Sequence, residues 1–435
     1  MPPPNGGRVV MVTVDRLNLS DLKYLPHLQQ LLEQGALGLM NDNTAGAPTP
    51  ENTYATIGAG VHISANDTAA LGFNAQEKLD KGIAGQEFYR RTGVIVKPDA
   101  LVQLGIVRIH KQNKQLPYPA RPGALGSALH RAGLKTAVLG NADVPQGLRR
   151  QALSIAMDES GVVDCGNAST SMLASDPSFP GGLRTDYTKL LSTFDELPSK
   201  VSLVVFELGD LSRLDEMQDD VSEKVMAKQR RLTLQRVDEF IGQLVPRLNL
   251  HRDLLLIVSP TPGKDIITGV SNYLTPIMAV GQGVTRGMLS SPTTKRAGVV
   301  MNTDIAPTIL HFLGIKIPVE MTGQPMWVMA PERGQIGVLE RMLNQLTLTY
   351  DIRADIQRGY IFYQLILLLV SLYCIFWRRT RLGRVLEPFL LSVMVVPLVY
   401  LLLPLLPQPA TWVIVLEMGG PKKESSPRPQ SFTMP

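Results

Sequence analysis

The chain has 435 residues, with 43 Lys and Arg against 38 Asp and Glu and a formal net charge of +5. That excess is mild and scattered along most of the chain, which excludes a dedicated nucleic-acid binder. Two cysteines exclude a disulfide framework; Cys165 stands alone and Cys374 lies in an apolar run, so neither a zinc cluster nor a redox pair is indicated.

Residues 1–15 (MPPPNGGRVVMVTVD) contain no basic segment leading into a long apolar run and a cleavage site. The run at 9–14 is too short for a signal sequence and reads as a buried strand. An export signal is expected upstream of this start. Further strands are expected at 36–40, 136–139, 152–156, 202–206, 254–258 and 277–280. These runs are rich in Val, Leu and Ile without polar alternation, the pattern of strands covered on both faces. Helices are expected between them at 21–34, 124–132, 185–191, 221–244 and 305–313. Alternation of this kind implies an α/β fold with a doubly wound, mostly parallel sheet. Residues 65–122 are polar and irregular, an insertion over one sheet edge.

Residues 335–359 form an amphipathic stalk helix leading into two apolar blocks within 360–406. The first, YIFYQLILLLVSLYCIFW at 360–377, has eighteen uncharged residues, nearly enough to cross about 30 Å of hydrocarbon at about 1.5 Å per residue. Tyr360, Tyr363 and Trp377 suit the interface. The second, at 388–406, is also uncharged, and its Pro397 and Pro404 are tolerated in membrane helices. Between them, 378–384 carries four arginines in seven positions. The positive-inside bias places that loop in the cytoplasm and residues 1–334 on the other side, as an extracytoplasmic domain. Residues 407–435 hold a short apolar segment and a polar, Pro-rich tail expected to be disordered.

Parallel sheets gather ligands at the carboxyl ends of their strands. The residues to inspect are therefore Asp15, the loop at 45–60, the segment 207–215 and the segment 259–264. Asp15 could hold a divalent cation or cap the following turn. Thr49 and Pro50 suit the N-cap and first position of a helix. A hydroxyl there also sits in a field that favours a phosphate or sulfate ester and an attacking alkoxide. Spacing alone does not separate cap from nucleophile.

An Asp closing the first strand, then a helix-leading Thr in a Pro-rich loop running to Ile57-Gly58-Ala59-Gly60, resembles the alkaline phosphatase superfamily. That superfamily includes phosphodiesterases, sulfatases and cofactor-independent phosphoglycerate mutases. Leu274-Thr275-Pro276-Ile277, Gly281-Gln282-Gly283 and Asp304-Ile305-Ala306-Pro307-Thr308-Ile309-Leu310 resemble its closing strands and helix. The likeness spans most of 8–325.

The resemblance implies two metal ions, often zinc, and a Thr or Ser nucleophile. Asp15 matches the first metal-binding Asp and Thr49 the nucleophile, although spacing back from Gly60 points one residue on, to Pro50. Asp210 matches a second metal-binding Asp, but Arg213, Leu214 or Asp215 stands where a His is expected. The expected Asp-His-Gly is replaced by Ser259-Pro260-Thr261-Pro262-Gly263, and a last His has only His311 as candidate. Zinc sites need about three or four protein ligands each, so a complete two-zinc site is not expected. A single divalent ion (Mn, Mg or Zn) held by Asp15 and Asp210, with Glu207 or Asp215 in reserve, is the alternative. The reading is a catalytically degenerate binding or scaffolding module facing membrane lipids or envelope polymers. The alternative is an extracytoplasmic phosphoester or sulfate-ester hydrolase or transferase using Thr49.

Overall fold

The computed structural model describes residues 7–263, 274–329, 334–377 and 386–395, and divides the chain into two units, Met1–Thr347 and Leu348–Pro435. The arginine-rich loop at 378–384, the end of the second apolar block at 396–406, the tail at 407–435 and Lys264 lie outside the described residues.

In the first unit, ten described strands form one sheet: β1 (Val9–Thr13), β2 (Ala36–Asn41), β3 (Lys135–Asn141), β4 (Cys165–Asn167), β5 (Val201–Leu208), β6 (Leu254–Val258), β7 (Thr275–Gly281), β8 (Gly287–Ser290), β9 (Val299–Met301) and β10 (Trp327–Met329). Their spatial order is β10-β8-β2-β7-β6-β1-β5-β3-β4, with β9 also paired to β2. The block β4-β3-β5-β1-β6 is parallel throughout. Strand β7 runs antiparallel between β6 and β2, and β10 runs antiparallel at the edge. The sheet is thus mostly parallel, as the apolar runs imply.

Helices cover both faces. They are α1 (Pro26–Leu32), α2 (Pro50–Ala59), α3 (Ala124–Arg131), α4 (Leu153–Ala156), α5 (Tyr187–Asp195), α6 (Asp210–Glu216), α7 (Glu223–Leu244) and α8 (Ile305–Phe312). Strand side chains point alternately to opposite faces, so every second residue of β1 enters a different core. Val9 and Met11 pack with residues of α2, α3, α4 and α8, while Val10 and Val12 pack with α1, α5 and α7. This explains why β1 has no polar alternation.

Three expectations change in detail. The helix expected at 21–34 is divided into a 3-10 turn, Leu19–Tyr24, and α1. Pro26 bars its predecessor from helical geometry, and Leu25 sits at φ −122°, ψ 75°. The strand expected at 152–156 is instead helix α4, wholly buried beneath α2. A short apolar run carries no period by which to distinguish a buried strand from a buried helix. The insertion at 65–122 is more regular than its composition suggests. It holds helices Ala84–Thr92 and Ile106–Asn113, and its strands Gly72–Asn74 and Leu101–Gln103 join Val162–Val163 in a small separate sheet.

His130 ties α3 to the sheet edge. Its Nδ1 lies 3.2 Å from Asp158 and its Nε2 2.8 Å from Asp164, whose carboxylate also accepts the Thr136 N–H. Burial alone would lower the imidazole pKa, but the two carboxylates outweigh it and raise it to about 9. A raised folded-state pKa gives stability that is full below the unfolded value of 6.5 and is lost as pH rises through about 9. Wild type should therefore exceed His130→Gln in melting temperature at pH 6, with the difference shrinking steadily towards pH 9.5. A difference independent of pH would refute the assignment.

A long helix, α9 (Gln335–Phe376), begins in the first unit, where Leu339 and Leu343 are buried, and continues in the second. Its part Gln357–Phe376 is long and apolar enough to cross a membrane, and most of its large apolar side chains are exposed. Within the second unit Tyr360 and Tyr363 hydrogen-bond to the short apolar helix Leu386–Val395, through Val393 O and Ser392.

Candidate functional site

The parallel strands deliver Asp15, Asp42, Asn141 and Glu207 to one edge of the sheet, and α2 starts above them. Asp15, Thr49, Tyr54 and Glu207 share a cleft of about 390 Å³, closed on its far side by Ser212, Asp215 and Glu216 of α6. Asp210 is not among the described residues that line it.

Asp15 follows β1 and is 4% exposed. Thr261 donates to its Oδ1 from both backbone N (2.8 Å) and Oγ1 (2.6 Å), and Ser212 donates to Oδ2 at 3.2 Å. Burial raises its pKa, against the opposing pull of Arg16 and these donors. Arg16 adopts φ 65°, a left-handed backbone uncommon for a residue with a side chain. The turn is held because Arg16 N–H donates to Thr261 O and the guanidinium to Pro262 O. Thr261 occupies the segment in which the resemblance expects Asp-His-Gly. A hydroxyl and an amide there satisfy Asp15 directly.

Asp210 opens α6 and is fully buried. Its Oδ1 accepts from Thr185 N and Arg213 Nη1, each at 2.7 Å, and its Oδ2 from the Tyr187 hydroxyl at 2.9 Å. The remaining guanidinium donors of Arg213 go to Asp143 O, Asn141 O and Oδ1, and the Thr185 hydroxyl. An internal cation therefore sits against Asp210 near the position where a metal-binding His was expected. No group of three or more His, Cys, Asp or Glu converges for a metal among the described residues. The donor set does not fit the metal centre that the resemblance implies.

Thr49 is the N-cap of α2. Its backbone is extended (φ −84°, ψ 158°), Oγ1 accepts from Asn52 N at 3.4 Å, and Pro50 takes the first helical position. Among the described residues no carboxylate or imidazole hydrogen-bonds to Thr49. Asn52 locks the loop, accepting from Ala65 and Asn66 N–H and donating to Ala47 O. Thr49→Ala should cost about 0.5–1 kcal/mol, at the low end of cap losses because the hydrogen bond is long. Urea unfolding measures it; a cost above about 2 kcal/mol would point to a role beyond capping.

The sequence under-weighted Glu207. It ends the apolar run of β5 and is 1% exposed; Oε2 accepts from Ala152 N at 3.3 Å and Oε1 has no partner. Burial first, then the charges of Asp143 and Asp15, push its pKa well above the usual carboxylate range, with Arg213 opposing. Asp42 is similar: buried, with Oδ2 unpartnered, and raised to about 6 by burial with Asp15 adding. A carboxylate ending the apolar run 203–206 was the signal for Glu207. His311, the last-His candidate, lies on α8 and lines a separate apolar cavity.

No family model matches the chain, and no curated protein matches it. Among solved structures the chain is similar to the lipoteichoic acid synthase LtaP from Listeria monocytogenes, at 10% identity over 75% of each chain, with a TM-score of 0.44. It is similar to a protein in the alkaline phosphatase superfamily from Vibrio parahaemolyticus, at 12% identity over 74% of this chain and 71% of that one, with a TM-score of 0.44. It is also similar to the alkaline phosphatase from the Antarctic bacterium TAB5, at 10% identity over 73% and 100%, with a TM-score of 0.41.

Proposed function

We propose that the chain is a catalytically degenerate relative of the alkaline phosphatase superfamily, a membrane-tethered module whose cleft binds without metal chemistry. One observation carries this: the two carboxylates that would hold metal are already engaged by protein donors, Asp15 by Thr261 and Ser212, Asp210 by Arg213, Thr185 and Tyr187. The apolar helix segment Gln357–Phe376 supports the tether. The four arginines within 378–384 support an extracytoplasmic position for the first unit by the positive-inside bias. A module so placed would meet membrane lipids or envelope polymers.

The second reading, a phosphoester or sulfate-ester hydrolase using Thr49, draws on Thr49 and Asp15 lining the same cleft. Purified protein incubated with a chromogenic phosphodiester and Mn²⁺, Mg²⁺ or Zn²⁺ distinguishes the two. The expected result is no rate above that of Thr49→Ala under any of the three metals. A metal-dependent rate abolished by Thr49→Ala would overturn the binding reading.

A further inference from the structure

The charges of the cleft run against a phosphate or sulfate ester. Its carboxylates are Asp15, Glu51, Glu207, Asp215 and Glu216, facing the guanidiniums of Arg16 and Arg149. Both guanidiniums already have carboxylate neighbours in the wall. Arg16 Nε lies 3.4 Å from Asp215 and 3.8 Å from Asp15, and Arg149 Nε donates to Glu216 at 3.2 Å. Five carboxylates against two guanidiniums leave an excess of three acidic groups. The N-terminus of α2 contributes only about half a positive charge, and Glu51 in its first turn already faces it.

We propose that this cleft takes a small ligand bearing a primary ammonium group, held by the unpartnered Oε1 of Glu207 and by Glu51. This rests on the reading of the cleft as a metal-free binding site. An ammonium offers three donors and no acceptor, which suits the unpartnered Oε1 of Glu207 and the part-exposed carboxylate of Glu51. Glu51 is part-exposed, and among the described residues its carboxylate forms no ion pair and accepts a neutral amide hydrogen bond from Gln151 at 3.1 Å. A phosphate would bring further acceptors to Glu207 and Glu51, and the guanidiniums it would meet lie beside Asp15, Asp215 and Glu216. The volume of about 390 Å³ falls in the range of small-ligand sites and admits a monosaccharide.

The groups facing Glu207 set the pH behaviour. Asp15 from β1 and Asp143 after β3 disfavour its charge, Arg213 of α6 favours it, and Tyr54 of α2 lies close enough for the Glu207 charge to raise its own pKa. Burial favours the neutral form of Glu207 and a bound ammonium its ionised form, so binding should release a proton.

Calorimetry with the full chain can use one sugar ring in three charge states: glucosamine, glucose and glucose 6-phosphate. Glucosamine should bind at least about tenfold more tightly than the other two, with a proton released, read by repeating the titration in buffers of different ionisation enthalpy. Glu207→Gln and Glu51→Gln should each weaken glucosamine about tenfold. Glu51 lies at the exposed start of α2, so its variant decides the matter if Glu207→Gln fails to fold. Tighter binding of glucose 6-phosphate, or no preference for glucosamine over glucose, would overturn the proposal. Turnover of the phosphodiester would instead overturn the metal-free reading, in a separate assay with a separate signal.

Discussion

Arg213→Ala is expected to destabilise the first unit by about 3–5 kcal/mol, the cost of removing one partner from a buried ion pair. Arg213 is 2% exposed and Asp210 is wholly buried, so the carboxylate would keep its Thr185 and Tyr187 donors but lose its counter-charge. Two backbone carbonyls, Asn141 O and Asp143 O, would lose their guanidinium donors as well. Arg213→Lys should recover little, because a single ammonium does not reproduce a planar fork engaged in several directions. Asp210→Asn combined with Arg213→Met should recover much of the loss, since no buried charge then remains unpaired. The midpoint of urea unfolding measures all three. The series also bears on the metal question. If Zn²⁺ or Mn²⁺ restored the stability of Arg213→Ala, Asp210 would be a latent metal ligand; no restoration is expected, because no group of three ligands surrounds it among the described residues.

Gly58→Val should cost about 2–3 kcal/mol, through contact with backbone rather than conformation. A β-carbon at Gly58 would lie 2.2 Å from Ser154 O and 2.8 Å from Ile155 Cα, well inside van der Waals contact. Both atoms belong to the α4 backbone and are not free to rotate away. Replacing a helical glycine normally gains up to about 1 kcal/mol of helix propensity, less for a β-branched residue. Overpacking costs about 1–3 kcal/mol and occasionally more, so the steric effect wins. Relief requires α2 to move off α4, which carries Thr49 and Glu51 away from the Glu207 side of the cleft. Thermal unfolding gives the stability loss, and glucosamine titration of the folded fraction should show weakened binding. An unchanged melting temperature would mean that the close α2–α4 contact is absent in solution.

Much of the sheet was legible because each parallel strand is buried on both faces. Such strands leave uninterrupted apolar runs, and six of the seven expected runs became strands of the main sheet. The exception, 152–156, failed because a run of five buried residues, four of them apolar, carries no period. The short strands β4, β8, β9 and β10 were not legible as apolar runs; they have three or four residues each and take their identity from pairing with a neighbour. Asp15 and Thr49 were legible as cleft residues from their places, one closing a strand and one opening a helix.

The sequence by itself determined that a mostly parallel α/β unit precedes an apolar segment able to cross a membrane, since burial on both faces and freedom from charge are composition patterns. Only the tertiary structure decided what Asp15 and Asp210 do. Whether a carboxylate is free depends on which donors arrive from distant segments: Thr261 lies 246 residues from Asp15, and the peptide N–H of Thr185 comes from before β5. The same packing left Glu207 with an unpartnered oxygen in a cleft where acidic groups outnumber basic ones, which no local pattern could reveal.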